Sequence, residues 1–120
     1  MPPLFTHVRV DAQSPPAAVT NTAVNSGNSI TSDQNAAIAA GTGLRLYGFS
    51  VMEDAAGTAS LRIMHGATVG AGTQVELISL VANESTADYW GPEGIAVPNG
   101  VSIDWISGSF KMSLKSKVVT

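Results

Sequence analysis

Two histidines, His7 and His65, are the side chains of this sequence best suited to acid–base or metal chemistry. A lone histidine at the end of a strand, as His65 is before Gly66, is more often a surface residue than a general base, because a base needs its reacting partner within hydrogen-bond reach. The two histidines lack the spacing of a metal site, and the chain has no cysteine. No nucleophile elbow or phosphate-binding loop occurs. We therefore predict that the protein is not an enzyme and holds no metal or cofactor.

Acidic side chains form two small groups that could in principle serve a hydrolase or a calcium site. The first group, Glu53 and Asp54, adjoins a turn, and the second lies farther along the chain, beside Tyr89 and Trp90. Paired carboxylates near aromatic rings can hydrolyse glycosides, and oxygen-rich loops can bind Ca²⁺. The spacing of a calcium-binding loop is not met, so we interpret both groups as solvated loop acids. The second group flanks a short segment that ends in two aromatic residues, and it consists of Glu84, Asp88 and Glu93.

Tyr89 and Trp90 are the aromatic residues most suited to contact a partner. Because they are adjacent, a strand would direct one of them into the core and the other toward the surface. Aromatic side chains are enriched at the centres of interfaces, so the outward residue is our candidate contact. The alternative is that it covers the core as a plug. The aromatic residues in the strongest strand patterns are predicted to be core residues: Tyr47, Phe49, Trp105 and Phe110.

Strands must position these side chains, because the chain alternates with a period of two from Leu44 onward. We predict about seven or eight short strands and an all-β fold, an antiparallel β-sandwich or jelly-roll-like domain over residues 33–120. Consecutive strands joined by short turns are expected to pair with each other. Between Thr73 and Leu80 the alternation places Val75 and Leu77 on one face of the strand and Ile78 on the other. In the last strand it places three lysines on one face, which we interpret as a solvated edge that resists aggregation: Lys111, Lys115 and Lys117.

Residues 1–32 are rich in Ala, Ser, Thr, Asn and Pro and are predicted to form an extended arm. Residues 4–10 and 35–40 are predicted strands, and a capped helix over 33–40 is the alternative to the second. Ordering such an arm costs about 1–2 kcal/mol per residue in backbone entropy, so we expect it to lie against another subunit or a partner. The alternative is that it adds edge strands to its own sandwich. Its candidate interface residues are Leu4, Phe5, Val8, Val10 and Ile30.

The chain of 120 residues carries little charge. Charged residues make up 12%, against roughly 25% in ordinary soluble domains, which favours either a surface covered by a partner or a neutral polar surface. The net charge is −3 and no basic run exists, so we expect no nucleic-acid partner. No apolar run is long enough to span a bilayer and no signal-peptide pattern is evident, so no membrane is expected.

Three segments carry a resemblance to a known family. They are LRLYGFSV (Leu44–Val51), ANES (Ala82–Ser85) and WGPEGIAV (Trp90–Val97), followed by the two closing strands. Together they resemble the small β-sandwich virion proteins of tailed bacteriophages. The resemblance implies a capsid decoration or cement protein that binds the major capsid protein or another virion protein, and that is often a trimer or dimer. It further implies synthesis in the host cytoplasm and a place on the capsid surface. The alternative is a receptor- or glycan-binding module of a tail or fibre.

Overall fold

The computed structural model of this protein describes residues 6–8 and 29–118, with side chains for 29–117. These residues form nine strands in two antiparallel sheets, which confirms the predicted all-β sandwich. Sheet A contains β1 (Thr6–Val8), β3 (Leu44–Glu53), β6 (Ser85–Tyr89), β7 (Ile95–Ala96) and β9 (Phe110–Val118), and sheet B contains β2 (Gln34–Ile38), β4 (Ala59–His65), β5 (Thr73–Leu80) and β8 (Val101–Ser107). A 3-10 turn, Val69–Ala71, lies between β4 and β5.

The strand pairs nest inside one another along the chain. β1 pairs with β9, β2 with β8, β3 with β6, and β4 with β5. Two further pairs, β3 with β9 and β4 with β8, close each sheet. The expectation that consecutive strands pair with each other is therefore wrong for every described connection except β4–β5. Facing sheets lie only about 10 Å apart, so a short turn can cross between sheets as readily as it closes a hairpin.

The core lies between the two sheets and takes side chains from both inner faces. Phe110, Met112 and Leu114 point inward from β9, as the alternation predicts. The aromatic expectations are also confirmed, because Tyr47, Phe49 and Phe110 are buried and Trp105 packs against the core. The largest other side chains that are fully buried are Ile30, Ile38, Leu44, Leu46, Leu61, Ile63 and Ile103.

A β-bulge at Tyr47 changes the phase of the alternation in β3. Leu46 lies opposite Ser116 and Gly48 lies opposite Lys115, so Tyr47 has no partner in β9. A bulge inserts one extra residue on one strand and shifts which side chains face inward. Leu44 and Leu46 face the core before the bulge, and Phe49 and Val51 face it afterwards. All the large apolar residues of β3 up to Val51 are thereby buried.

The pairing of β5 with β4 decides which of the alternating residues of β5 face the core. Ile78 and Leu80 are buried, whereas Leu77 is 53% exposed. Ile78 lies opposite the buried residue Leu61 of β4, and this register turns Leu77 outward. A second bulge in the β4–β5 pair lets Val75 also pack against the core, which the strict alternation did not predict.

The described parts of the predicted arm lie on the sandwich itself. Thr6–Val8 pairs with β9, and Ile30 forms a bridge with Phe110 and is 1% exposed. The second predicted strand is confirmed as Gln34–Ile38, which rules out the helix alternative there. Because β9 has β3 on one side and β1 on the other, its lysines do not lie on an edge strand, and that interpretation of Lys111, Lys115 and Lys117 is wrong.

Candidate interaction surface

The outer face of sheet A concentrates the positive charge of the chain. Four of the six Lys and Arg residues occupy its outward positions, and no acidic residue occupies an outward position of β3, β6, β7 or β9. We call this surface the basic face, and its largest outward residues are Arg45, Met52, Tyr89, Lys111, Lys115 and Lys117.

Strand register sets two of these cations directly against each other. Arg45 of β3 lies opposite Lys117 of β9. Lys115, two residues earlier in β9, lies on the same face. Like charges directly opposite on neighbouring strands are destabilising. Arg45 donates a hydrogen bond to the carbonyl oxygen of Glu93, but among residues 29–117 it forms no ion pair. The basic face therefore costs the isolated sandwich some stability, as a surface used for contact often does.

A groove crosses one end of the basic face. Its volume is about 420 Å³, and its floor is made of short side chains, with Lys111 and Met52 on the rim. The hydroxyl groups of Ser50 and Ser113 lie 2.8 Å apart and form a hydrogen bond across β3 and β9. Met52 is 46% exposed. The groove thus combines hydroxyl groups, one cation and several apolar residues.

Acidic side chains collect along one border of the sandwich, where β5 and β6 end the two sheets. Glu76, Glu84 and Asp88 line a cleft of about 230 Å³ between these edge strands. Asp88 lies opposite the inward residue Phe49, so its position faces the gap between the sheets. Inward-directed charges on edge strands discourage uncontrolled strand pairing. We call this border, with the exposed residues Leu77 and Val81 on and beside β5, the acidic edge.

Tyr89 and Trp90 divide as predicted, one outward and one inward. Tyr89 is 47% exposed at the end of β6, whereas Trp90 packs against the core with its ring centroid 5.7 Å from that of Phe49. The following turn rests on β3, because a Cβ on Gly94 would lie 2.7 Å from the carbonyl oxygen of Leu46. Any aromatic platform here is therefore formed by Tyr89, and Trp90 is a core contact.

Glu53 is not the solvated loop acid that the sequence suggested. It is 1% exposed, and its carboxylate accepts hydrogen bonds from three backbone N–H groups: Asn83 at 2.8 Å, Gly57 at 3.0 Å and Ala55 at 2.8 Å. The bonds from Asn83 and Gly57 hold the pKa of Glu53 below its ordinary value of 4.5, against the opposing effect of burial. Glu53 thus joins the β3–β4 and β5–β6 turns, and its role is structural.

Asp54 fastens two further segments at the same end of the sandwich. Its carboxylate accepts hydrogen bonds from the hydroxyl groups of Ser29 and Ser109. Partial burial would raise the pKa of Asp54, but the bonds from Ser109 and Ser29, with Lys111 nearby, outweigh it and hold the pKa below the ordinary value of 3.8. The sequence signal that could have revealed this clasp is weak, because Ser29 and Ser109 lie far from Asp54 along the chain.

His65 lines a depression that has no acidic residue among its lining residues. The depression has a volume of about 440 Å³ and is also lined by Ala40, Thr68 and Asn99, and the buried Nε2 of His65 has no hydrogen-bond partner among the described residues. No group of three or more histidine or acidic side chains in the described part of the chain could hold a metal ion. The arrangement brings together charge and apolar surface rather than a base and a nucleophile.

The other candidate interface residues lie partly outside the described residues. Leu4, Phe5 and Val10 are among the positions that are not described. The backbone of Val8 lies in β1 opposite Leu114. Ile30 is part of the core of its own sandwich. Their role in contacting a partner remains a prediction.

No protein-family description matches this chain, and no curated protein or solved structure is significantly similar to it. In the part of the chain that the structure describes, no helix is both long enough and apolar enough to cross a membrane.

Proposed function

We propose that this chain is a structural virion protein of a tailed bacteriophage, a decoration or cement protein on the capsid surface. The nested order of the strand pairs carries the proposal. Pairs β1·β9, β2·β8, β3·β6 and β4·β5 are nested like those of one long hairpin wrapped into a sandwich, which supports a jelly-roll arrangement. Jelly rolls recur in viral capsid and lectin domains. The low charge, 12% of residues, agrees with a surface that is partly covered in the assembly.

The mechanism is added contact area rather than chemistry. The sandwich docks on the shell, the predicted arm adds contacts beyond those that its described parts make with their own sandwich, and the combined burial resists rupture of the shell. Apolar area removed from water contributes about 25 cal/mol per Å². Even modest contacts, repeated over every copy on a shell, then add up to a large resistance.

Purified heads of the encoding phage provide the test. We expect the protein to be present in them, and heads that lack it should release DNA at a lower temperature or after a milder osmotic shock. Adding the full chain back should restore resistance. A chain that begins at Ser29 keeps Ile30 and the Asp54 clasp, so it should fold but attach more weakly. The proposal would be contradicted if the full chain and the chain that begins at Ser29 attached equally well, or if the protein were absent from the virion.

A receptor- or glycan-binding module of a tail or fibre is the second candidate. Its support is the hydroxyl-lined groove of the basic face, with exposed Tyr89 on the same face. The matched variants are Tyr89→Ala and Tyr89→Phe, because the second keeps the ring. Loss of glycan or cell binding in Tyr89→Ala alone would favour this candidate. Full binding by Tyr89→Ala would argue against it.

A further inference from the structure

Opposite charges occupy two adjoining surfaces of this one chain, which meet along β6. The basic face holds Arg45, Lys111, Lys115 and Lys117, and the acidic edge holds Glu76, Glu84 and Asp88. The one ion pair among residues 29–117, between Arg62 and Asp104, belongs to neither surface. The other charged residues of the two surfaces form no ion pair within the described part of the chain, although Lys111 lies near Asp54.

Exposed apolar side chains are divided between the same two surfaces. The described residues include five large hydrophobic side chains that are exposed. Met52 and Tyr89 lie on the basic face, Leu77 and Val81 lie on the acidic edge, and Ile106 is the exception. Aromatic and Met side chains are enriched at interfaces, where a polar rim surrounds an apolar centre. Each surface thus has apolar contacts together with charge of one sign.

We propose that a second copy of this chain docks its acidic edge onto the basic face, so that copies associate head to tail. Charge complementarity decides the occupant, since the chain itself supplies the surface of opposite sign. The same charges exclude a face-to-face dimer, which would place lysines against lysines. Contacts between two different patches are heterologous, and they form a closed ring or an open filament, depending on the rotation between copies.

This association goes beyond the proposed function and does not depend on it, because it concerns copies in solution without any shell. The contact relies on exposed charge, so it should weaken as salt screens the surface. We expect the mass measured by light scattering to rise with concentration up to about 1 mM, where even weak contacts are populated. Raising the salt from about 50 mM to about 500 mM should weaken the association by about tenfold or more.

A charge swap tests the pairing of the two surfaces. The first variant combines Lys115→Glu with Lys117→Glu, and the second combines Glu84→Lys with Asp88→Lys; all four positions are exposed or half-buried. Each variant alone should be monomeric. In the first variant the two new glutamates cancel the charges of Arg45 and Lys111, so the basic face has no net charge left to attract the acidic edge. In the second variant the acidic edge becomes net positive, like the basic face. An equal mixture of the two should form pairs again, since the unaltered acidic edge of the first variant can dock on the unaltered basic face of the second.

Controls separate a lost contact from a lost fold. Lys115→Arg with Lys117→Arg keeps the charge and should associate like the natural chain. Thermal unfolding of every variant checks the sandwich, and Asp88→Lys alone replaces the second variant if the loss of the Glu84 hydrogen bond to Val81 unfolds it. A natural chain that is monomeric throughout would overturn the proposal. So would association that survives either swap, or a mixture of folded variants that stays monomeric.

Discussion

On the outer face of sheet B the register places Arg62 opposite Asp104, whereas on the outer face of sheet A it places Arg45 opposite Lys117. Both are direct cross-strand neighbours, but the first pair attracts and the second repels. Asp104 is 8% exposed and accepts a 2.7 Å hydrogen bond from Nε of Arg62. The charge of Arg62 is thus paired within sheet B, whereas Arg45 and Lys117 of sheet A form no ion pair among the described residues.

The two outer faces also differ in how far they are covered by other parts of the chain. The loop after β4 folds over toward sheet B, where Ala36 donates to the carbonyl oxygen of Ala67 and Val69 donates to the side chain of Asn35. Ser102, at an outward position of β8, is completely buried. On the basic face, Met52 and Tyr89 are about half exposed. The outer face of sheet B therefore serves the stability of the domain, whereas the outer face of sheet A stays exposed at some cost in stability.

The largest effect should come from a substitution that disturbs the strand spacing under the basic face. A Cβ on Gly48 would lie 2.2 Å from the carbonyl oxygen of Asp88, so Gly48→Ala must push β6 away from β3. We expect a loss of about 3 kcal/mol in the free energy of unfolding. Gly70, in the loop near sheet B, has open space around it, and Gly70→Ala should change stability by less than about 1 kcal/mol. Urea unfolding measures both, and similar losses would contradict the comparison.

The next largest effect compares the loss of stability when a charged residue is removed from each of the two outer faces. Asp104→Ala removes a buried charge-assisted hydrogen bond on sheet B, and we expect it to cost about 2 kcal/mol. Lys115→Ala on the basic face should stay within about 0.5 kcal/mol of the natural chain. Asp104→Asn, which keeps an acceptor for Arg62, should lose less than Asp104→Ala. Equal losses for Asp104→Ala and Lys115→Ala would show that the two faces do not differ in this way.

A smaller effect should appear as acid is added, because Glu53 and Asp54 both have a pKa below the ordinary value. A carboxylate whose pKa is lowered by folding stabilises the folded state above its unfolded pKa. That stability is lost as the pH falls below about 4.5 and through the folded pKa values. A protonated carboxyl group still accepts hydrogen bonds, so the loss is partial. The free energy of unfolding, measured from about pH 6 to about pH 3, should depend less on pH for Glu53→Gln than for the control Asp88→Asn.

Alternation along the chain was enough to predict the strands, the sandwich and most of the core, because burial on one side of a strand imposes a period of two. It could not predict the phase change at Tyr47 or the outward turn of Leu77, which depend on bulges and on the partner strand. Tyr89 and Trp90 could be divided, but not assigned. The basic face was missed, since Arg45 and Lys117 are brought together only by the pairing of β3 with β9.

The smallest expected effect tests whether the cations on the outer face of sheet A lower the stability of the sandwich. Lys117→Glu converts the repulsive pair with Arg45 into an attractive pair like Arg62 and Asp104. We expect the monomer to gain about 0.5 kcal/mol of stability, measured by urea unfolding at low salt, and the gain should shrink as salt screens the pair. Lys117→Gln, which only removes the repulsion, should gain less. If both substitutions destabilise the sandwich, the cations of sheet A contribute to its fold, and the basic face is not held at the expense of stability.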